Sequence, residues 1–418
     1  MSSVGHPPVA ALAEPTEPVR GHWVVWLSLV SIGVWAGFFG PIQVLLAQQA
    51  ERFSPDHKEV TLALVTGIGA AVSTVLNPLC GALSDRTIAR MGRRLPWVLG
   101  GLAGAVLSMV LLAAAQSVLA MVLAWALAQA ALNAMLAAIT ATVPDQVPAR
   151  QRGTVGGWLA IAQTAGVVAG SGIAAATGSI AAGYLTIAVA LALFSLPYCL
   201  DSHDMALPAA ERRPFAARQF FGSLWISPRA HPDFAWAWLT RFLMNVGNAL
   251  VILYLLYYLK DAIDLSDKQA EDGVFVLTAL YGVVTILTAI AGGIWSDRIG
   301  RRKPFVIWSG LIAAAALLVL AFASTWAVAV VGAVLLAIGF GTYTAVDFAM
   351  ITQVLPTALD RAKDLGVINI ANALPQVLAP GVAALVLSLH LGYSGLYIVA
   401  AGVSVLGSVL VTRIRSLD

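Results

Sequence analysis

Twelve times along this chain a run of about 20 apolar residues returns, the length that a helix rising 1.5 Å per residue needs to cross the hydrocarbon of a bilayer. The runs lie at 22–49, 59–84, 96–116, 118–142, 153–176, 183–200, 233–258, 272–296, 304–324, 326–350, 363–388 and 394–412. Such a chain cannot fold as a water-soluble globule. Only 11% of its 418 residues are charged and 59% are hydrophobic, whereas a soluble domain carries roughly 25% charged residues. In hydrocarbon every backbone N–H and C=O must be satisfied inside the protein, and at this segment length helices do that. The expected fold is all-α and integral to the membrane, with twelve transmembrane helices and the lipid bilayer as surroundings.

Charge orients these helices. An even number of spans returns both termini to one side. Of the 24 Lys and Arg residues, 19 fall on that side, while Arg52, Lys58, Lys260 and Lys268 fall on the other and Arg241 lies inside the seventh run. Basic residues flank the cytoplasmic ends of spans, so both termini are expected in the cytoplasm of a protein of the cell (inner) membrane. A net charge of +3 is too small to suggest nucleic acid as a partner. Cys80 and Cys199 sit near span edges and read as packing residues. With no cysteine–histidine cluster, no metal is expected. With no nucleophile–base pair, cofactor loop or soluble domain, neither an enzyme nor a cofactor is expected. Residues 1–21 are polar and proline-rich, lack the features of a signal peptide, and read as a cytoplasmic tail.

The chain repeats itself. "GALSDRTIARMGRRLPWV" (81–98) follows the second run and "GGIWSDRIGRRKPFV" (292–306) follows the eighth. Between them, the charged, proline-containing stretch 201–232 reads as a cytoplasmic linker between six-helix halves at 22–200 and 233–413, with a short tail at 414–418. Within the linker, "FAARQFFGSLW" (215–225) suits either an amphipathic helix on the membrane surface or a plain connection. Two halves carrying one basic loop are the pattern of transporters built from repeats.

On these residues the chain resembles the major facilitator superfamily, whose signature after the second helix is G-x-x-x-D-R-x-G-R-R. Gly81, Asp85, Arg86, Gly92, Arg93 and Arg94 fit it around a four-residue insertion, and Gly293, Asp297, Arg298 and Arg301 fit the second copy. The resemblance spans nearly the whole chain. It implies secondary transport of a small-molecule substrate by alternating access between two pseudo-repeated halves, in a protein that functions as a monomer. The loop "SDRTIARMGRRLPW" is similar to that of sucrose/proton and glycoside:cation symporters, which implies a sugar-type solute and protons as partners. Those sucrose symporters carry an acid in the fourth helix where this chain has Gln129. Coupling then lies elsewhere, or the chemistry differs.

Asp85 ends the second helix, where the helix dipole is already negative, so something must hold it there. The family resemblance implies that this acid contacts the opposite half and helps shut a cytoplasmic gate. "DQVPARQRG" (145–153) resembles the sugar-porter pattern at the same place and adds Asp145 and Arg152 to Arg86 and Arg93 in one ion network. The plainer reading is a set of solvated loop charges, each worth little.

Polar residues inside spans fall on shared faces. Gln129 and Asn133 are four apart in the fourth helix; Arg241, Asn245 and Asn248 are spaced four and three in the seventh; Tyr343 and Asp347 are four apart in the tenth; Asn369, Asn372 and Gln376 are spaced three and four in the eleventh. Gln163 lies near the middle of the fifth. The superfamily resemblance places these helices, with the first, around a central cavity. Amides and a tyrosine suit a polyhydroxyl ligand, and Trp35 offers a ring for stacking. Interhelical hydrogen bonding is the alternative use of such amides. A proton-driven efflux antiporter is the competing function. Its fifth-helix motif is half kept in "GVVAGSGIAA" (166–175), with Gly166 and Gly170 present and Ser171 where proline belongs.

Away from the span ends, Asp347 and Arg241 are the only acid and base inside the spans. Asp347 lies nine residues before Pro356, about 13 Å at helical rise, and Arg241 eight residues after Asp233, about 12 Å in from the same side. At matching depth they are expected to pair in at least one transport state, either as a structural bridge or as a proton site. The remaining possibility turns Asp347 toward the gate arginines.

Overall fold

The computed structural model describes residues 15–202, 204–211, 228–353 and 361–415, apart from the side chains at 149, 153, 211, 297, 348–349, 351–353, 361–369 and 373. The stretch 215–225 and the tail 416–418 lie outside these residues. Among the described residues, twelve helices are long and apolar enough to cross a membrane. They are α1 (Gly21–Phe53), α2 (Lys58–Ser84), α3 (Leu95–Ala114), α4 (Val118–Gln146), α5 (Ala149–Ala176) and α6 (Ile180–Leu200), then α7 (Pro232–Asp261), α8 (Asp267–Ile299), α9 (Lys303–Ala321), α10 (Trp326–Gln353), α11 (Arg361–Ser388) and α12 (Gly392–Leu410). Large apolar side chains such as Leu119, Leu193, Leu287 and Leu385 are exposed on the outside of the bundle. That surface would aggregate in water and suits lipid.

The ends of the spans correct two expected boundaries. α7 continues to Asp261 and α8 begins at Asp267, beyond the apolar runs that end at 258 and begin at 272. Five of the eight extra residues are charged, Lys260, Asp261, Asp267, Lys268 and Glu271, and polar contacts described below hold Lys260, Asp261, Asp267 and Glu271.

The two halves pack alike. In the first, α1 lies against α5 and α6, α2 and α3 each lie against α4, and α3 lies against α6. In the second, α7 lies against α11 and α12, α8 and α9 each lie against α10, and α9 lies against α12. The halves meet along two seams, α2 with α11 and α5 with α8. The repeated loop keeps its geometry as well. Gly92 and Gly300, the glycines of its two Gly-Arg-Arg copies, adopt left-handed φ values of 105° and 71°, which favour glycine over residues that carry a Cβ. A Cβ on Gly81 would lie 4.0 Å from the Ala137 methyl, and one on Gly293 3.7 Å from that of Ala345. Each copy thus seats its helix on the corresponding neighbour.

α1 is not uniform. Its middle, Pro41–Leu45, forms a π-helical turn, and the Leu46 N–H donates to the Pro41 carbonyl. Proline has no N–H to donate to the preceding turn, and a wider turn accommodates that gap. Just before it, α1 meets α5 backbone to backbone. A Cβ on Gly170 would sit 2.8 Å from both the Ala36 carbonyl and the Gly40 nitrogen, and one on Gly166 2.6 Å from the Ile32 carbonyl. Small residues at such a spacing let membrane helices approach closely. Gly170→Val is therefore expected to lower thermal stability in detergent strongly, since overpacking costs about 1–3 kcal/mol or more. Gly157→Ala, whose new methyl would meet nothing within 4 Å, should leave stability unchanged or slightly raised. Equal losses in the two variants would rule out close approach as the reason for the glycine pair.

Candidate functional site

The acid and base singled out above meet. Arg241 Nη1 donates to Asp347 Oδ2 at 2.6 Å, joining α7 to α10. Arg241 Nε donates to Asn372 Oδ1 on α11 at 2.7 Å, and Asn245 Nδ2 donates to the same oxygen at 3.3 Å and to the Arg241 carbonyl at 2.8 Å. The guanidinium is thus held on one edge by an amide and on the other by a carboxylate. Access to the pair is unequal: the Asp347 side chain is 2% exposed and that of Arg241 16%. Asp347 Oδ1 and the Tyr343 hydroxyl, one turn apart, are both buried and face each other, with no further hydrogen-bond partner among the described residues. A charge inside the membrane is costly unless compensated, and each member of this pair compensates the other.

The remaining polar residues divide. Asn245 and Asn372 belong to the charged cluster. Asn248 Oδ1 accepts from the Tyr281 hydroxyl on α8 at 2.8 Å, and Tyr281, Phe340 and Tyr343 form a tilted series of rings. Gln163 and Gln376 are exposed. The Asn369 side chain lies outside the described residues. Trp35 is half-buried, against Phe38 and Phe39.

Gln129 and Asn133 sit in a separate, buried cluster. Asn133 Oδ1 accepts from Ser73 Oγ at 3.1 Å and Asn77 Nδ2 at 3.0 Å, both on α2, while its amide donates to the Gln129 carbonyl at 2.8 Å. Asn133 is 2% exposed. Its observed bonds tie α2 to α4, which is the interhelical use of a membrane amide.

At the arginine-rich end, Arg94 is the hub. Its Nε lies 2.8 Å from Asp145, its Nη2 2.5 Å from Asp85, and its Nη1 donates to Ser84 Oγ at 2.5 Å. Burial acts to lower the Arg94 pKa, but hydrogen bonds and charge from Asp145 and Asp85 outweigh it and hold the pKa above the ordinary value. Arg93 also reaches Asp145, at 3.1 Å. Arg86 and Arg152 donate to helix carbonyls, those of Ala82 and of Val147 and Pro144 respectively, where positive charge suits the helix C-terminus. Asp85 is thus bound within its own half. In the second loop copy Arg298 and Arg301 are exposed, and the Asp297 side chain lies outside the described residues.

The sequence reading missed Arg94 as the centre of this network and missed Asp204 altogether. Asp204 Oδ2 accepts from the Arg94 and Leu95 backbone nitrogens at 2.5 and 2.9 Å, which caps the positive N-terminus of α3. A Cβ on Gly92 would lie 2.3 Å from the Asp204 carboxyl carbon, so this glycine also makes room for the cap. Asp204 lies over a hundred residues from its partners, and no local pattern marks it.

The far end holds a second network that the sequence reading did not foresee. Glu51 on α1 contacts Lys260 on α7 at 2.5 Å and Lys58 on α2 at 3.3 Å; Lys58 contacts Asp261 on α7 at 2.8 Å; Lys260 also contacts Asp267 at 2.8 Å. The Tyr393 hydroxyl donates to Asp261 at 3.0 Å, and the Tyr257 hydroxyl donates to the Ala47 carbonyl at 2.6 Å. Gln48 donates to Glu271 at 2.6 Å. Four of these contacts, Glu51–Lys260, Lys58–Asp261, Tyr257–Ala47 and Gln48–Glu271, run between the halves and join them at this end.

A family model described as the Major Facilitator Superfamily matches residues 56–291 and 273–418. The chain belongs to this superfamily. It is a multi-pass membrane transporter and not an enzyme. Among solved structures of superfamily transporters, it is similar to the nucleoside transporter NupG (TM-score 0.74, 13% identity, covering 94% of this chain and 99% of that one). It is also similar to a bacterial homologue of the human lysosomal transporter Spinster in an inward-facing, occupied conformation (TM-score 0.71, 15% identity, 96% of each chain). A POT family transporter bound to a thioalcohol-conjugated peptide matches at a TM-score of 0.74 with 12% identity, over 97% of this chain and 99% of that one. At these identities the likeness is one of fold. An uncharacterized symporter of Synechocystis, sll1374, is 42% identical over 72 residues, covering 16% of this chain and 13% of that protein.

Proposed function

We propose that this superfamily transporter moves a small polar solute of the sugar type by proton-coupled symport, with Asp347 and Arg241 as the coupling site. The observation that carries the reading is the 2.6 Å ion pair between α7 and α10, buried among amides. Protonation of Asp347 neutralises the acid, frees the guanidinium and loosens the bond between two helices of one half. Burial of an acid favours its neutral form once the partner moves off. The local similarity to a symporter is in keeping with this direction of coupling. Gly166 and Gly170, the half of the efflux motif that is kept, serve the packing of α5 on α1, and Ser171 stands where that motif has proline.

By the excess of basic residues at one end, that end is cytoplasmic, the membrane is the cell (inner) membrane, and the structure is shut on the outside by the Glu51–Lys260 network. Asp85, Asp145 and the flanking arginines serve the cytoplasmic gate, exchanging partners within their half for partners across it as that end closes. The protein works as a monomer. In everted membrane vesicles, addition of sugars, glycosides or sugar acids is expected to produce a proton movement, and addition of cationic dyes none. Proton movement with the dyes alone would assign the chain to efflux.

A further inference from the structure

We infer that the transported solute is a small hydroxylated monoanion, a sugar acid rather than a neutral sugar, and that its carboxylate replaces Asp347 on Arg241. The inference rests on the coupling reading above and deepens it. Its basis is charge balance in a closed space. Away from the ends of the apolar runs, Arg241 and Asp347 are the only ionic residues within them, and paired they sum to zero. One proton on Asp347 leaves a guanidinium without a counter-charge inside the membrane, and an uncompensated buried charge is strongly unfavourable. A neutral sugar does nothing to offset that; a single carboxylate restores neutrality.

The geometry fits the exchange. Arg241 is the more exposed member of the pair and Asp347 is almost wholly buried, so a ligand entering from open space reaches the guanidinium first. Asn372 holds Arg241 by Nε, which leaves the nitrogen now bound to Asp347 able to change partner without the side chain swinging away. A guanidinium binds a carboxylate through parallel N–H donors. Asn245 and Asn372 border the same group and offer amides to hydroxyls, while the aromatic series of Tyr281, Phe340 and Tyr343 lies alongside. The titratable and charged groups that face Asp347 among the described residues are Arg241 from α7 and Tyr343 from its own helix; α8 and α9, packed against α10, bring none.

The step moves one proton from solution to the Asp347 carboxylate and one solute carboxylate from solution to Arg241. No net charge crosses the membrane. Two consequences are measurable in proteoliposomes holding the full chain, with D-gluconate and D-glucuronate as anionic probes and D-glucose and sucrose as neutral ones. A pH gradient, acid outside, should drive accumulation of at least one of the acids and of neither neutral sugar. An imposed potassium–valinomycin potential at equal pH should not alter the rate. Arg241→Gln should weaken binding of the acid, read by thermal shift, by about 10- to 100-fold, the loss expected for a hydrogen-bonded charge. Arg241→Lys should recover part of it. Neutral-sugar uptake that depends on Asp347 and on proton flux would overturn the anion assignment and leave proton coupling standing. Failure of every acid to bind or to be transported would overturn it as well. Uptake of an acid that ignores the pH gradient, or that Asp347→Asn still concentrates, would remove the coupling reading on which the inference stands.

Discussion

Asp347→Asn is expected to abolish accumulation of solute against its gradient while sparing exchange of solute between the two sides. Asparagine keeps the shape of the acid but cannot take up or release a proton. The site is held as though permanently protonated, so loaded carriers can still turn over, while the return of the empty, deprotonated carrier is lost. The accumulation ratio should fall to unity. Stability changes too. Asp347→Asn leaves Arg241 without its counter-ion, and Arg241→Gln leaves Asp347 without its own; breaking one side of a buried pair costs about 3–5 kcal/mol. Asp347→Asn combined with Arg241→Gln removes both charges and should give higher yield and melting temperature than either single change. Counterflow, uphill uptake and thermal melting on the four proteins form a complete cycle. Uphill uptake by Asp347→Asn would show that coupling resides elsewhere.

The second large effect concerns the far end. Glu51 binds both Lys58 and Lys260, so Glu51→Gln weakens two contacts at once and leaves two lysines beside each other. Close, partly buried charge pairs of this kind carry couplings of about 1.5 kcal/mol and upward. A change of that size shifts the balance between closed and open far ends by about tenfold or more. The reporter is a cysteine at Thr278, which is buried where α8 meets Gln43 of α1. Cys80 and Cys199, which belong to the other end, would first be replaced. Labelling of this thiol from the far side should be slow with Glu51 present and faster by the same factor in Glu51→Gln. Unchanged labelling would mean that the ion network does not hold that end shut.

Much of the architecture was legible because membrane solvation leaves few choices. Apolar runs fixed the number of helices, and the repeated Ser-Asp-Arg and Gly-Arg-Arg loop marked the two halves. The Asp347–Arg241 meeting was legible for a similar reason: two opposite charges in hydrocarbon at one depth have little alternative to each other. Amides are less decisive. Asn133 and Asn372 have the same chemistry and similar helical spacing, yet one ties α2 to α4 and the other holds Arg241. Which use an amide serves depends on what the neighbouring helix presents. The charged networks at both ends were the least legible. Asp204 reaches Arg94, and Glu51 reaches Lys260, across more than a hundred residues of chain. Where water is near, charges at span ends have many possible partners, and only the packing selects among them.

The π turn of α1 bears on that selection. A turn with one extra residue rotates everything beyond it by about 100° relative to an unbroken helix. The segment carrying Glu51 lies beyond it, at Leu46–Phe53. α7, its counterpart in the second half, runs unbroken from Pro232 to Asp261. The turn therefore sets which face of Leu46–Phe53 is offered to the second half, and with it the reach of Glu51 to Lys260. In an α1 without it, the Glu51 carboxylate would stand about 100° around the helix axis from that lysine, and the far end would lose this ion pair between the halves.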